Sequence, residues 1–441
     1  MILIMGGRMI DPKTGVDEFR DLVIEGNRIK YIGKFRASEA YEEVIDAKGK
    51  IIVPGLIDVH VHFRDPGFTH KEDMETGAAA AIRGGFTTVV CMANTKPVVD
   101  NSEVLREVLQ KAAKAAIHVQ TVAAVSKGFA GTELTDMAGL KKLGAVGFSD
   151  DGIPLRDAAF VLKAMTAVKE QDMVISLHEE DPSLIGTAGV NQGKVSGALG
   201  LAGAPSVSES ALVARDCMLA LSTGAKVHIQ HISCAESLGA VQLAKELGAK
   251  VTAEATPHHF SLTEQAVISR ETLAKVNPPL RTDKDRYAII AGLRDGTIDI
   301  IASDHAPHSA EEKARPFAEA PSGMIGLETA LALGITNLVR TGHLTMHDLI
   351  HKMTAAPAAL YGFNAGFLAE GGPADITIFD DRETWTVSDF SSKSANSPFI
   401  GQTLTGKIKY TICNGKILYR DGATSGGADA GGGNTNGVKA V

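Results

Sequence analysis

Apolar residues recur in two different rhythms along this chain, and the change between them falls at Pro54-Gly55. Residues 1–53 alternate short β-type runs with turn signals, in MILIMGG, DPKTG, DLVIEGNRIKYIG and VIDAKGK. They predict a small all-β unit. From 54 to 362 short apolar runs are separated by stretches of helical period, the signature of βα repeats around a parallel sheet. Eight such runs are found: LIDVHVHF (56–63), FTTVVCMA (86–93), IHVQTVAAV (117–125), AVGFS (145–149), MVISLH (173–178), KVHIQH (226–231), KVTAEA (250–255) and IDIIAS (298–303). Eight is the number a closed (β/α)8 TIM barrel needs, and the segment slightly exceeds the roughly 250 residues typical of that α/β fold. EVLREVLQKAAKAA (103–116) and AESLGAVQLAKELG (235–248) read as two of its helices. Residues 363–422 return to β-type runs, GGPADITIFD and TLTGKIKYTICNGKILY, so the two flanking segments are expected to pair into one smaller β-sandwich domain. Residues 423–441, rich in Gly, Ala and Asn with no apolar period, are expected to be a disordered tail.

With 441 residues, 44% hydrophobic and 22% charged, the chain has material for a sizeable core, which excludes a mini-protein and wholesale disorder. Its net charge of -8 and scattered basic residues argue against nucleic-acid or membrane-surface partners, so an anionic substrate would need a local basic site. No run of 18 apolar residues and no basic leader occurs, and a cytoplasmic protein is expected. Cys91, Cys217, Cys234 and Cys413 lie far apart without a CxxC pair, which suggests neither a disulfide framework nor a cysteine zinc site.

Barrel enzymes assemble their sites at the C-terminal ends of the strands, and most of those ends here carry a metal-type ligand. The first run ends Asp58-Val59-His60-Val61-His62; alternate strand residues face one side, so both histidines point together and Val61 points away. The fourth runs into Ser149-Asp150-Asp151-Gly152, the fifth ends at His178, the sixth at His231, and Asp304 follows the eighth. Four histidines and two carboxylates, one of them Asp150 or Asp151, thus converge on one mouth. Such donors suit zinc, manganese or cobalt, and six exceed what one catalytic zinc uses, so two ions bridged by a carboxylate are expected. The other histidines read as structural. His118 and His228 sit inside strands with the wrong parity or depth, His70 follows a loop, and His343, His347 and His351 fall in a C-terminal helical stretch. Of the adjacent His258 and His259 at most one can face the mouth, and both read as support for the ligands.

The segments PGLIDVHVHFRDPG (54–67), MANTKPVVD (92–100), FSDDG (148–152), ISLHEED (175–181), HIQHISC (228–234), TAEATPHHF (252–260), KVNPPLR (275–281) and IASDHAPHS (301–309) follow one another in this order. On them the chain resembles the amidohydrolase superfamily and, within it, the bacterial single-function dihydroorotases, over about residues 1–422. The resemblance implies Zn2+, one or two ions per subunit. His60, His62, Asp151 and Asp304 would hold the first, and Asp151, His178 and His231 the second. Much of the superfamily bridges its metals with a carboxylated lysine; FSDDG offers none, and the resemblance puts Asp151 in that place. The implied reaction is the reversible cyclisation of N-carbamoyl-L-aspartate to L-dihydroorotate and water, in pyrimidine biosynthesis, by a zinc-bound hydroxide with Asp304 as proton shuttle. Asn94, Asn277, His308 and His62, with backbone groups of Pro321, Ser322 and Gly323, would contact substrate. Arg64, two residues beyond His62 and so expected on the same face, can take a carboxylate through two hydrogen bonds. The segment 309–323 is polar with Pro and Gly breaks and reads as a mobile lid or exposed loop. A homodimer is implied, and a complex with an aspartate transcarbamoylase is a further expectation.

The nearest alternative is a hydantoinase or dihydropyrimidinase, which opens uncharged cyclic ureides, or as a weaker variant an allantoinase. Arg64 and the missing lysine speak against it. A non-catalytic scaffold beside a transcarbamoylase is expected to have lost metal-type ligands, and here all are present.

Overall fold

The structure, a computed structural model, describes residues 1–34 and 40–422, so the tail expected at 423–441 lies outside the described residues. Its strands are β1 (Ile2–Asp11), β2 (Val16–Glu25), β3 (Arg28–Gly33), β4 (Glu43–Asp46), β5 (Ile51–Pro54), β6 (Leu56–Val61), β7 (Phe86–Cys91), β8 (His118–Thr121), β9 (Val174–Leu177), β10 (Lys226–Ile229), β11 (Val251–Ala255), β12 (Ile300–Ile301), β13 (Ile376–Thr386), β14 (Thr403–Cys413) and β15 (Lys416–Arg420).

The two ends of the chain do pair. β5 runs antiparallel to β13, with Ile376 opposite Pro54 and Phe379 opposite Ile51, and the order β15-β14-β13-β5-β1-β2-β3, with β4 beside β1, makes one eight-stranded sheet. The short strand β5 shows why it holds. All four residues of IIVP are buried. Ile51 and Val53 belong to the large core around the parallel strands, while Ile52 faces a second core with Ile4, Leu22, Ile376 and Ile412. The period of two puts one sheet between two apolar layers.

β6-β7-β8 form a parallel sheet and β9-β10-β11-β12 another. Isolated parallel bridges join Ala123 to Phe148, Phe148 to Ile175 and Val61 to His305, so the pairings run from β6 through both sheets and return to β6. The expected fourth run, 145–149, contributes only Phe148 to this circuit. Gly147 O accepts from the Ala123 amide at 3.0 Å, and beyond Phe148 the chain turns so that the Asp150 carboxylate accepts from the Val125 and Ser126 amides at 2.7 and 3.2 Å. The eighth run is reduced to two ladder residues.

The helix expected over 103–116 spans Ser102–Ala112, opened by Asn101, whose side chain accepts from the amides of Glu103 and Val104. That expected over 235–248 spans Ala235–Glu246. His347 and His351 lie in the helix Met346–Met353, and His343 precedes it. All four cysteines are buried and unpaired. Among the described residues no helix is long and apolar enough to cross a membrane.

Candidate active site

His60 is the fifth residue of β6 and is fully buried. Its Nδ1–H donates to Glu254 Oε1 at 2.6 Å, which leaves the Nε2 lone pair facing Asp151 Oδ1 at 3.3 Å and Asp304 Oδ1 at 3.6 Å. His62, just past the strand end, is fixed the same way. Nδ1 donates to Asn94 Oδ1 at 2.9 Å, and Nε2 lies 3.0 Å from Asp304 Oδ1 and 3.4 Å from Asp151 Oδ2. The two imidazoles stand side by side with ring centroids 5.3 Å apart.

Across the mouth, His178 follows β9 and His231 follows β10. Their Nδ1 and Nε2 are 3.0 Å apart, and each lies 3.7 Å from Asp151 Oδ1. His178 Nε2 turns to Glu180 at 3.4 Å. Asp151 therefore belongs to two donor groups, His60–His62–Asp151 and Asp151–His178–His231, each with ligand atoms within 4.8 Å of one another. Geometry separates the two aspartates: the Asp150 carboxylate is taken up by Val125 and Ser126, and Asp151 stands among the histidines.

Charge is poised to receive a cation. Burial disfavours ionisation of Asp151, yet His60, His178 and His231 hold its carboxyl well below the ordinary range. Burial likewise opposes a charged His178, and Asp151 and Glu180 nevertheless push it up to about 10. Two atoms test the fit directly. His60 Nε2 and Asp151 Oδ1 are buried without a hydrogen-bond partner, although they face each other. A divalent ion between them would satisfy both, and imidazole nitrogens with carboxylate oxygens are its usual donors.

A cavity of about 180 Å³ opens above this cluster. His62, Arg64, Asn94, Asp151, His178, His231, Asn277, Asp304, His308, Ser322 and Gly323 all line it, and His60 lies buried beneath. Arg64 reaches it by a route the strand alternation did not foresee. β6 ends at Val61, and Arg64 adopts a left-handed φ of 59°. Its Nε donates to Pro307 O at 3.2 Å and its Nη2 lies 3.3 Å from His308 Nε2. His308 Nε2–H donates to Ser322 O at 2.9 Å, while Nδ1 faces Lys71 Nζ at 3.4 Å. Burial, with Arg64, Lys71 and Lys313 nearby, keeps this imidazole far below its ordinary pKa, hence neutral.

The segment 309–323, expected as a lid or exposed loop, is exposed at Glu311, Ala314, Arg315 and Glu319 and anchored at its carbonyls by two lysines. Ser309 caps the helical turn Ala310–Lys313, and the buried Lys313 Nζ donates to Pro321 O and Gly323 O, each at 3.0 Å. Lys275 Nζ, from the preceding loop, holds Ala320 O at 2.7 Å, and Gly323 N donates to Lys275 O at 2.9 Å. Pro321 O is thereby turned to a lysine and does not line the cavity.

Three groups escaped the sequence reading. Glu254, buried in β11, takes His60, the His228 ring at 3.0 Å and the His231 amide at 3.2 Å; a lone acid inside the apolar run KVTAEA was its signal. Asp58 accepts from the amides of His60 and Ser303, tying β6 to the end of β12, and burial pushes it up to about 7. Asn396 braces Ala306 O and Gly323 O at 3.1 Å from the C-terminal segment, where no pattern announced it. His259 joins Thr256 at 2.8 Å to Pro278 O at 3.0 Å and so supports the loop of Asn277, whereas the buried His258 Nε2 has no partner.

Histidines and carboxylates that could hold a metal, gathered at the ends of parallel strands beneath a small polar cavity, define the site of a hydrolase of the amidohydrolase class. A family model described as dihydro-orotase-like matches residues 49–237. A dihydroorotase of Clostridioides difficile is 60% identical over 419 residues, covering 95% of this chain and all of the relative. One of Lactococcus lactis is 55% identical, covering 95% of this chain and 99% of the relative. Among solved structures, an L-hydantoinase (dihydropyrimidinase) from Arthrobacter aurescens superposes with a TM-score of 0.84 at 24% identity over 96% of both chains. A D-hydantoinase (dihydropyrimidinase) from Thermus sp. gives 0.83 at 26% over 97% of both. The chain belongs to the dihydroorotase family.

Proposed function

We propose that the protein interconverts N-carbamoyl-L-aspartate and L-dihydroorotate, a cyclic ureide bearing a carboxylate. The observation that carries this reading is Arg64, a cation on the wall of the cavity that holds the His and Asp cluster, in a protein of net charge -8. Its guanidinium offers two parallel donors to a carboxylate, and Asn94 and Asn277 offer amides that both donate and accept, as a ureide ring requires. A hydantoinase or dihydropyrimidinase, favoured by fold likeness alone, acts on an uncharged ring and has no use for that clamp.

Zinc, one or two ions per chain, is the metal we assign, with His60, His62, Asp151 and Asp304 holding one position and Asp151, His178 and His231 the other. When bound it supplies a Lewis acid for the carbonyl oxygen and lowers the pKa of water. In ring opening, the water oxygen bonds to the carbonyl carbon, the C–N bond breaks, and a proton must travel from the water to the leaving nitrogen. Asp304 moves it. Burial disfavours its ionised form, yet His60 and His62 hold it below the ordinary carboxylate range, so it starts as a base; ring closure requires it to enter protonated. Glu254 and Asn94 keep the two imidazoles turned with Nε2 toward it.

The circuit of parallel strands is read as a (β/α)8 barrel over 54–362, and the eight-stranded sheet of 1–53 and 363–422, with its own core, as a β-sandwich. A cytoplasmic homodimer, with an aspartate transcarbamoylase as a further partner, completes the reading. Asp304→Asn tests the mechanism: turnover should fall by at least roughly 10³-fold in both directions, with substrate still bound. Substantial residual turnover would remove Asp304 from the shuttle role.

A further inference from the structure

At the other end of the parallel strands the structure assembles a third donor group of the same compactness. His118, Asp375 and Cys413 bring a ring nitrogen, a carboxylate oxygen and a sulfur within 4.8 Å of one another. His118 is the first residue of β8, Asp375 immediately precedes β13, and Cys413 ends β14. The group therefore lies where the strand circuit meets the eight-stranded sheet, remote from the mouth. His118 Nε2 is 3.0 Å from Asp375 Oδ2, and Asp375 Oδ1 accepts from the Asn414 amide at 2.7 Å, which fixes the carboxylate plane. Cys413 is 1% exposed, with Sγ 3.8 Å from Thr87 O. His118 is half-buried and, with Asp375 and Asn414, lines a cavity of about 270 Å³.

We propose that His118 Nε2, Asp375 Oδ2 and Cys413 Sγ form an additional binding site for a zinc-type divalent ion, with water from the adjoining cavity as fourth ligand. Sequence spacing gave no hint of it, because His118 stands 257 positions before Asp375 and meets it only where the C-terminal strands pack on β8. The donor set is chemically selective. Thiolate and imidazole exclude magnesium and calcium in favour of zinc or cobalt. Charge also balances, since one thiolate and one carboxylate neutralise a dication in a buried place. Binding replaces the S–H bond by an S–metal bond and releases that proton to solvent, with no change of oxidation state. Asn414, donating to the carboxylate oxygen that does not face the ion, is the outer hydrogen bond such ligands usually carry. The ion would clamp β8, β13 and β14 together, a stabilising role and not a catalytic one.

Cobalt separates this site from the mouth, where every donor is nitrogen or oxygen. The full-length protein, stripped of metal and reloaded with Co2+, should show a near-ultraviolet thiolate-to-cobalt charge-transfer band. Cys413→Ser should abolish the band and lower bound cobalt by one equivalent per chain, leaving the visible bands of the mouth and the ring-opening rate unchanged. His118→Gln, at a half-buried position that tolerates an amide, should also cost one equivalent and serves if the cysteine variant misfolds. Absence of the band in the parent protein, or its persistence in Cys413→Ser, would overturn the proposal.

Discussion

Three residues at the mouth hold left-handed backbone although none is glycine: Arg64 at φ 59°, His231 at 32° and Asp304 at 47°. Each such conformation costs on the order of 1–3 kcal/mol and persists only where the surroundings fix it. Here they do, through Pro307 O for Arg64 and His62 for Asp304. The strand alternation stops at these positions, and the turn aims their side chains over the cavity. Arg64→Lys keeps the charge and loses the planar pair of donors. It should raise KM for L-dihydroorotate by on the order of 10- to 100-fold, as expected for one charged hydrogen bond, with a smaller effect on kcat; an unchanged KM in steady-state assays would take the carboxylate away from Arg64. At this scale the sequence was eloquent about donors and silent about their partners. His60, His62, His178, His231 and Asp304 were legible because strand ends are. Asp150 and Asp151 were not separable, since only the Val125 and Ser126 amides, 25 residues upstream, distinguish them. Glu254 was passed over because its three contacts come from other strands.

Elements explain which expectations shifted. The eight runs were legible as apolar stretches of strand length, but ladder geometry survives unevenly: Phe148 alone stands for the fourth and two residues for the eighth. The helix over 102–112 was recognisable from its period, while its end was overrun because Ala113 to Ala116 are compatible with continuing it. The segment 309–323 looked like a lid because its composition is polar; what the composition hides is that Lys275 and Lys313 spend their ammonium groups on its carbonyls. Burial and the neighbouring Lys275 lower Lys313 to about 7. Lys313→Met leaves Pro321 O unpaired and Gly323 O with Asn396 alone, and should loosen Ser322 and Gly323 at the cavity. KM should rise by roughly tenfold, about 1.4 kcal/mol, with kcat changed by less than about threefold; kinetics equal to the parent would show that the loop does not depend on this anchor. A second buried group joins elements elsewhere. Glu328 accepts from the Ser391 and Ser392 amides and faces Arg83 at 3.3 Å. Burial outweighs these partners and pushes its carboxyl up to about 7 from 4.5. Because the folded value lies above the unfolded one, its contribution is full below pH 4.5 and is withdrawn as pH rises to 7. Glu328→Gln should remove that slope, gaining on the order of 1–2 kcal/mol over the parent between pH 5 and 8 in urea unfolding; parallel curves would contradict it.

The whole molecule joins two kinds of sheet through the chain's own ends. β5 and β13 pair directly before β6, so the strand that carries His60 and leads into His62 leaves a sheet paired with residues more than 320 positions away. That closure was foreseeable in outline, because flanking β segments need partners. Its consequences were not, since Asn396 braces the cavity wall at Ala306 and Gly323, and Asp375 and Cys413 stand beside His118. Family membership and geometry then converge on a cyclic amide whose ring bears a carboxylate. The most direct test is the ring opening of L-dihydroorotate beside hydantoin and dihydrouracil, with zinc supplied and with a chelator. Turnover of dihydroorotate alone, stopped by the chelator and restored by zinc, is the predicted result. Preference for the uncharged rings, or turnover indifferent to the chelator, would contradict it.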